Sequence, residues 1–234
     1  DPWRRADFFY NDALTGYDWS RCAGQRRFLQ LAKARGVRQF TAFCNSPPFT
    51  MTQNGYTFCD PDVGSTNLAP DKVDAFAGYL AEVLAHFKTE GIEFSAISPI
   101  NEPEWDWNGS FRRGRVRASQ EGCRYDNADI KAVVSALAAQ LKTRALETEI
   151  EVCESGQIDY LYMKEADNGD HIDQLFNPSS EQFIGDKLDG IICSHSYFTD
   201  TPRSGLVKKR RALRKKLDAY ELQYAQTEYC ILGE

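Results

Sequence analysis

Two glutamates stand where apolar stretches of the sequence give out, each in a setting that would fix a carboxylate in space. Glu102 falls in Ile97-Ser98-Pro99-Ile100-Asn101-Glu102-Pro103. The flanking prolines stiffen that segment and block strand pairing, so Asn101 and Glu102 are held at a rim. Glu228 closes an otherwise neutral run, Gln226-Thr227-Glu228-Tyr229-Cys230. A carboxyl pair is what glycosidic-bond cleavage requires: one protonated to donate to the leaving oxygen, the other ionised to attack the anomeric carbon. Both residues could equally cap loops or pair with Arg112 or Arg113, and spacing alone favours that plainer role.

The neighbouring aromatics shift the balance. Trp105 and Trp107 follow Glu102 in a polar stretch where no helix or strand periodicity asks for them. Indole faces stack on the C–H faces of sugars, so tryptophans beside a carboxylate suit a carbohydrate cleft, with burial in a core as the alternative. His195 and Tyr197 stand at another strand end, and a phenol there could hydrogen-bond an ionised Glu228. A single histidine is more often a core residue than a catalytic one, so His195 alone counts for little.

The elements that must carry these residues alternate between short apolar runs and helical patterns. Helices are expected over Asp18 to Arg35 (Phe28, Leu29 and Ala32 on one face), from Pro70 to Phe87, from a cap at Asn127 to Leu141, over Asp159 to Ala166, and over Leu206 to Tyr220. Strands are expected over Val37 to Cys44, Ile92 to Ile97, Glu149 to Cys153, Gly190 to His195 and Glu221 to Tyr229. About five strands with intervening helices require right-handed crossovers and give a parallel α/β sheet, either open or an arc of a (β/α)8 barrel. In both, function gathers at the carboxyl ends of the strands. No G-x-G-x-x-G or G-x-x-x-x-G-K-[ST] follows any strand, so a nucleotide-binding sheet lacks its best marker.

Composition narrows the class. Lys and Arg number 28 against 34 Asp and Glu, a net charge of −6, which argues against a general nucleic-acid binder. No run approaches the ~18 apolar residues of a membrane span. Of seven cysteines, none is spaced as CxxC, so a zinc ribbon or thioredoxin-type motif is unsupported. Cys44, Cys153, Cys193 and Cys230 read as plain buried residues in apolar runs. Cys59 and Cys123 lie in loop-like sequence and are the better disulfide candidates.

In order along the chain come Asn45-Ser46-Pro47-Pro48, the Asn101-Glu102-Pro103 segment, Gln120-Glu121-Gly122, Ser194-His195-Ser196-Tyr197 and Thr227-Glu228-Tyr229. This ordered set, from about Tyr17 onward, resembles glycoside hydrolase family 30, and most closely its secreted branch with endo-β-1,6-galactanases. The resemblance implies a (β/α)8 TIM barrel, with residues 1–234 an incomplete arc of about five parallel strands. It further implies Glu102 as acid/base on strand four and Glu228 as nucleophile on strand seven of a retaining mechanism without metal or cofactor. Asn101 would bind the sugar 2-hydroxyl, Asn45 to Pro48 would form a subsite wall, and His195 and Tyr197 would line the cleft with Trp105 and Trp107.

The first strands, the eighth strand and the family's β-sandwich have no counterpart in these residues, so the chain reads as a segment of a longer enzyme, inactive or poorly folded when isolated. The resemblance also places the Cys59 and Cys123 loops side by side at the top of the barrel, hence a disulfide between them and a secreted or periplasmic location. The expected substrate is a β-linked polysaccharide, β-1,6-galactan first and β-1,6-glucan or xylan next, and the full-length form is expected to be a monomer. Arg112, Arg113, Arg115 and Arg117 raise an acidic sugar, or else face solvent. Lys208 to Lys216 reads as the solvated outer face of a helix. The competing class is a carbohydrate-binding barrel segment without turnover.

Overall fold

The computed structural model describes residues 7–60, 65–112, 115–163, 168–199 and 202–229. Thr41–Phe43 (β1), Ala96–Ser98 (β2) and Glu149–Ile150 (β5) form a parallel sheet in the order β1-β2-β5. Val152–Ser155 (β6), Ile191–His195 (β7) and Gln223–Glu228 (β8) form a second, in the order β6-β7-β8. Only Glu151 separates β5 from β6, and its N–H donates to Ile97 O at 2.9 Å, so the second sheet carries on where the first ends. All these strands point the same way, which brings their carboxyl ends to one rim. The antiparallel hairpin of Ser110–Arg112 (β3) and Arg115–Arg117 (β4) lies in the segment after Glu102 that the sequence reads only as a loop.

Helix Ala23–Ala34 (α1) precedes β1, and Val73–Thr89 (α2), Asn127–Thr143 (α3), His171–Phe176 (α4) and Arg203–Ala219 (α5) lie between the strands in sequence. The 3.6-residue apolar stripes of α2 and α3 are the core. Phe76, Ala77, Leu80 and Leu84 pack with Ile130, Val133, Val134, Leu137 and Leu141, all buried. Helix α1 behaves differently: it buries no residue fully, and Phe28, expected to share a packed face with Leu29, is 77% exposed.

Helix starts also depart from expectation. Asp126, not Asn127, caps α3. Its carboxylate accepts the Asp129 N–H at 2.8 Å while Asp129 accepts the Asp126 N–H at 3.1 Å, a reciprocal capping box. This frees the Asn127 side chain for another use. Of the helix expected over Asp159 to Ala166, the described part holds a single 3-10 turn, Ile158–Leu161, and residues 164–166 lie outside the described residues. The basic run lies on α5, where Lys209 pairs with Asp159 at 2.8 Å, Lys216 with Asp173, and Lys208, Arg211 and Lys215 face solvent.

Cys153 and Cys193 are buried, Cys44 is half-buried, and Cys230 lies outside the described residues. Cys59 and Cys123, expected as a disulfide, are neighbouring but free thiols. Each sulfur has partners of its own: the Arg124 N–H donates to Cys59 Sγ at 3.4 Å, and Thr66 Oγ1 lies 3.4 Å from Cys123 Sγ. The hydrogen bond to Cys123, with burial added, pushes the Cys59 thiol up.

Candidate active site

Four strand ends converge. Glu102 lies four residues beyond β2, Glu154 near the end of β6, and His195 and Glu228 at the ends of β7 and β8. One carboxylate oxygen from each of Glu102 and Glu228 and a ring nitrogen of His195 lie within 4.8 Å of one another. His195 Nδ1 is 2.7 Å from Glu102 Oε1 and 3.5 Å from Glu228 Oε2. The Tyr197 hydroxyl donates to Glu228 Oε2 at 2.9 Å. The two acids differ in environment: the Glu102 side chain is 10% exposed and that of Glu228 is 40% exposed.

The local backbone explains how Glu102 is aimed. Its φ is 41°, a left-handed conformation that costs a non-glycine residue energy and that recurs where geometry is over-determined by surroundings. Its N–H donates to Glu154 O at 2.9 Å, and its carbonyl accepts the Trp105 N–H at 3.2 Å and the Trp107 indole N–H at 2.9 Å. Trp107 thus braces the backbone of Glu102, with its ring laid so closely on Gly122 that a Cβ there would come within 2.2 Å.

Trp105 takes a different position. Its ring meets Phe198 at 6.2 Å and Tyr160 at 6.4 Å, edge to face, and Phe198 is 65% exposed. Together they form an aromatic cluster on the Glu102 side, where Trp105 Nε1 and Glu102 Oε1 both lie against Gly156. Asn101 is buried, and its Oδ1 has no hydrogen-bond partner among the described residues. Asn45 is held by Glu121, to whose Oε1 its amide donates at 3.0 Å, and makes no described contact with Glu102 or Glu228. Among the arginines, Arg117 is exposed, Arg112 and Arg115 belong to the hairpin strands, and Arg113 lies outside the described residues.

Burial alone would lower the His195 pKa, but the Glu102 hydrogen bond, Glu154 beside the far nitrogen and the Glu228 charge outweigh it and raise it to about 9. The surroundings of His195, with Glu102, Glu154 and Glu228 on its sides, therefore favour its protonated form.

Sequence reasoning missed three supports. Glu154 follows Val152-Cys153 near the end of β6, as Glu228 stands at the end of β8. Glu104, two residues past Glu102, lies 2.8 Å from His171 Nε2, and His171 Nδ1 lies 2.7 Å from Asn127 Oδ1, all with buried side chains. Glu104 Oε2 also accepts the Gly156 N–H at 3.3 Å. This network pins the turn carrying Glu102, and no sequence spacing announces it.

The fold finds its counterparts among solved structures. A conserved exported protein from Bacteroides fragilis superposes with a TM-score of 0.90 at 29% identity over 99% of this chain and 47% of its own. A glycoside hydrolase family 30 subfamily 8 xylanase from Clostridium acetobutylicum gives 0.60 at 21% identity over 96% of this chain and 47% of its own. These neighbours define a (β/α)8-type fold. The sequence model described as O-Glycosyl hydrolase family 30 matches residues 1–234. The chain belongs to that family.

Among characterised proteins, the endo-β-1,6-galactanase of Hypocrea rufa is 30% identical over 154 residues, which are 63% of this chain and 30% of that enzyme. The exo-β-1,6-galactobiohydrolase of Bifidobacterium longum subsp. longum is 33% identical over 98 residues, 40% of this chain and 6% of that enzyme. The chain thus spans less than half the length of the relatives it matches. No helix among the described residues is long and apolar enough to cross a membrane.

Proposed function

We propose that this chain carries the acid/base and nucleophile of a retaining, endo-acting hydrolase of β-1,6-linked galactan. The observation that carries the reading is the approach of Glu102 and Glu228 to within 4.8 Å, oxygen to oxygen. Retaining enzymes hold their carboxyls about 5–5.5 Å apart so that one attacks without an intervening water, whereas inverting enzymes need roughly 6.5–9.5 Å. Glu102, the more buried, donates its proton to the glycosidic oxygen as Glu228, steadied by Tyr197, bonds to the anomeric carbon. Glu102 then takes a proton from water, and that water oxygen displaces Glu228.

The buried Asn101 Oδ1, unpartnered among the described residues, suits a substrate hydroxyl, and the Trp105 and Phe198 rings suit the apolar face of a neighbouring sugar. The linkage is supported by the two relatives, both of which act on β-1,6-linked galactan residues according to their names. The likeness to an exported protein supports a secreted or periplasmic location. We read the parallel strands as an arc of the eight-stranded barrel of a longer protein.

The full-length protein, screened on β-1,6-galactan, β-1,6-glucan and xylan with product anomers followed by NMR, tests the reading. Retained configuration on galactan, a fluorosugar adduct on Glu228, and loss of turnover in Glu102→Gln and Glu228→Gln are expected. Binding without turnover, or inverted products, would overturn it.

A further inference from the structure

We propose that Glu154 is a positioning residue of this site, setting its charge against the far nitrogen of His195 so that the near nitrogen presents a proton to Glu102 through both halves of the reaction. The inference rests on the reading of Glu102 as acid/base. Its structural basis is a pair of strand irregularities. The pairing of β6 with β7 slips between Cys153 and Ser155, leaving Glu154 unpaired with φ 54°, and that of β7 with β8 slips at Ser194/His195, skipping Thr227. Such bulges re-aim side chains, and these two turn Glu154 and Thr227 toward each other.

The Glu154 side chain is fully buried. Ser98 Oγ donates to its Oε1 at 2.5 Å, Thr227 Oγ1 donates to its Oε2, and His195 Nε2 lies 3.5 Å from Oε2, within ion-pair range. Those three partners come from β2, β8 and β7, the strands that deliver Glu102, Glu228 and His195. Among the described residues His195 Nε2 has no hydrogen-bond partner, and Glu154 supplies the charge it faces. Glu102, Glu228 and the Tyr197 ring edge face the imidazole on its other sides. Glu151, Cys153, Cys193 and Tyr224 lie near enough to feel the Glu154 charge, and none of them is a cation.

With Glu154 facing the far nitrogen and Glu228 3.5 Å from the near one, the doubly protonated ring is the favoured form even while Glu102 holds its proton. Nδ1–H then donates to Glu102 Oε1, which leaves Oε2 as the oxygen that carries the acid proton. When Glu102 gives that proton to the leaving group, the same Nδ1–H stabilises the carboxylate left behind, and His195 itself neither gains nor loses a proton. Without the Glu154 charge, His195 becomes neutral in the working pH range. Its bare Nδ1 then competes for the proton meant for the glycosidic oxygen.

The test is titration of the His195 imidazole by 15N NMR in the full-length protein and its Glu154→Gln variant, alongside kcat against pH. The expected result is a fall of the imidazole midpoint by at least about one unit, and a loss of kcat about tenfold greater near pH 8 than near pH 5.5. An unchanged midpoint, or an equal loss at every pH, would reduce Glu154 to a packing role. Should the variant not fold, the wild-type spectrum decides: a singly protonated His195 near pH 7.5 overturns the proposal. Full activity in Glu102→Gln would instead sink the acid/base reading, a failure the imidazole titration does not share.

Discussion

The Tyr197 hydroxyl donates to Glu228 Oε2 over 2.9 Å, from the residue two beyond the end of β7 to the last residue of β8. Glu228 is the more exposed of the two glutamates, so this bond does for its orientation what burial does for Glu102. A hydrogen bond to a charged group is worth roughly 1.5–3 kcal/mol. Tyr197→Phe is therefore expected to lower kcat by about 10- to 100-fold with a small change in KM, measured by steady-state hydrolysis.

A pH dependence of stability follows from His195. Its folded-state pKa, about 9, lies above the unfolded value of about 6.5, so folding takes up a proton between those limits. The stabilisation is fully present below pH ~6.5 and is lost as pH rises through about 9. Urea denaturation of wild type and His195→Gln is expected to show a stability difference on the order of 3 kcal/mol larger near pH 6 than above pH 9.5.

Gly156 is required by close approach. A Cβ at this position would lie 2.3 Å from Trp105 Nε1 and 3.2 Å from Glu102 Oε1. Gly156→Ala must displace the indole and crowd the acid. The expected cost is about 1–3 kcal/mol of stability by overpacking, with at least roughly a tenfold fall in kcat/KM, read by thermal unfolding and hydrolysis assays.

The buried His171–Glu104 pair gives a contrast between single and double variants. Removing one partner leaves a buried polar group uncompensated, so His171→Leu is expected to cost about 3–5 kcal/mol in urea denaturation. Replacing both with leucine is expected to recover part of that loss, because two apolar groups leave no stranded charge. Equal costs for the single and double variants would deny the pairing its role.

Much of this was legible beforehand because it is local. Helical spacing marked α2 and α3, since a stripe at 3.6-residue intervals has no other use than burial. The stiff segment between Pro99 and Pro103 marked Glu102. The same reasoning overran where contacts are not local: β1 and β2 are shorter than their apolar runs, Phe28 stands exposed, and Cys59 and Cys123 remain thiols.

The order of residue types along the chain was enough to determine a parallel α/β arrangement, glutamates at two strand ends and aromatics beside one of them. Only the tertiary structure decided that Glu154 joins them and that His195 lies between Glu102 and Glu154, because that meeting depends on two strand bulges and on three strands arriving at one point. Periodicity reports which face of an element is apolar. It carries no information about which buried carboxylate faces which imidazole, since that is fixed by distances between segments far apart in sequence.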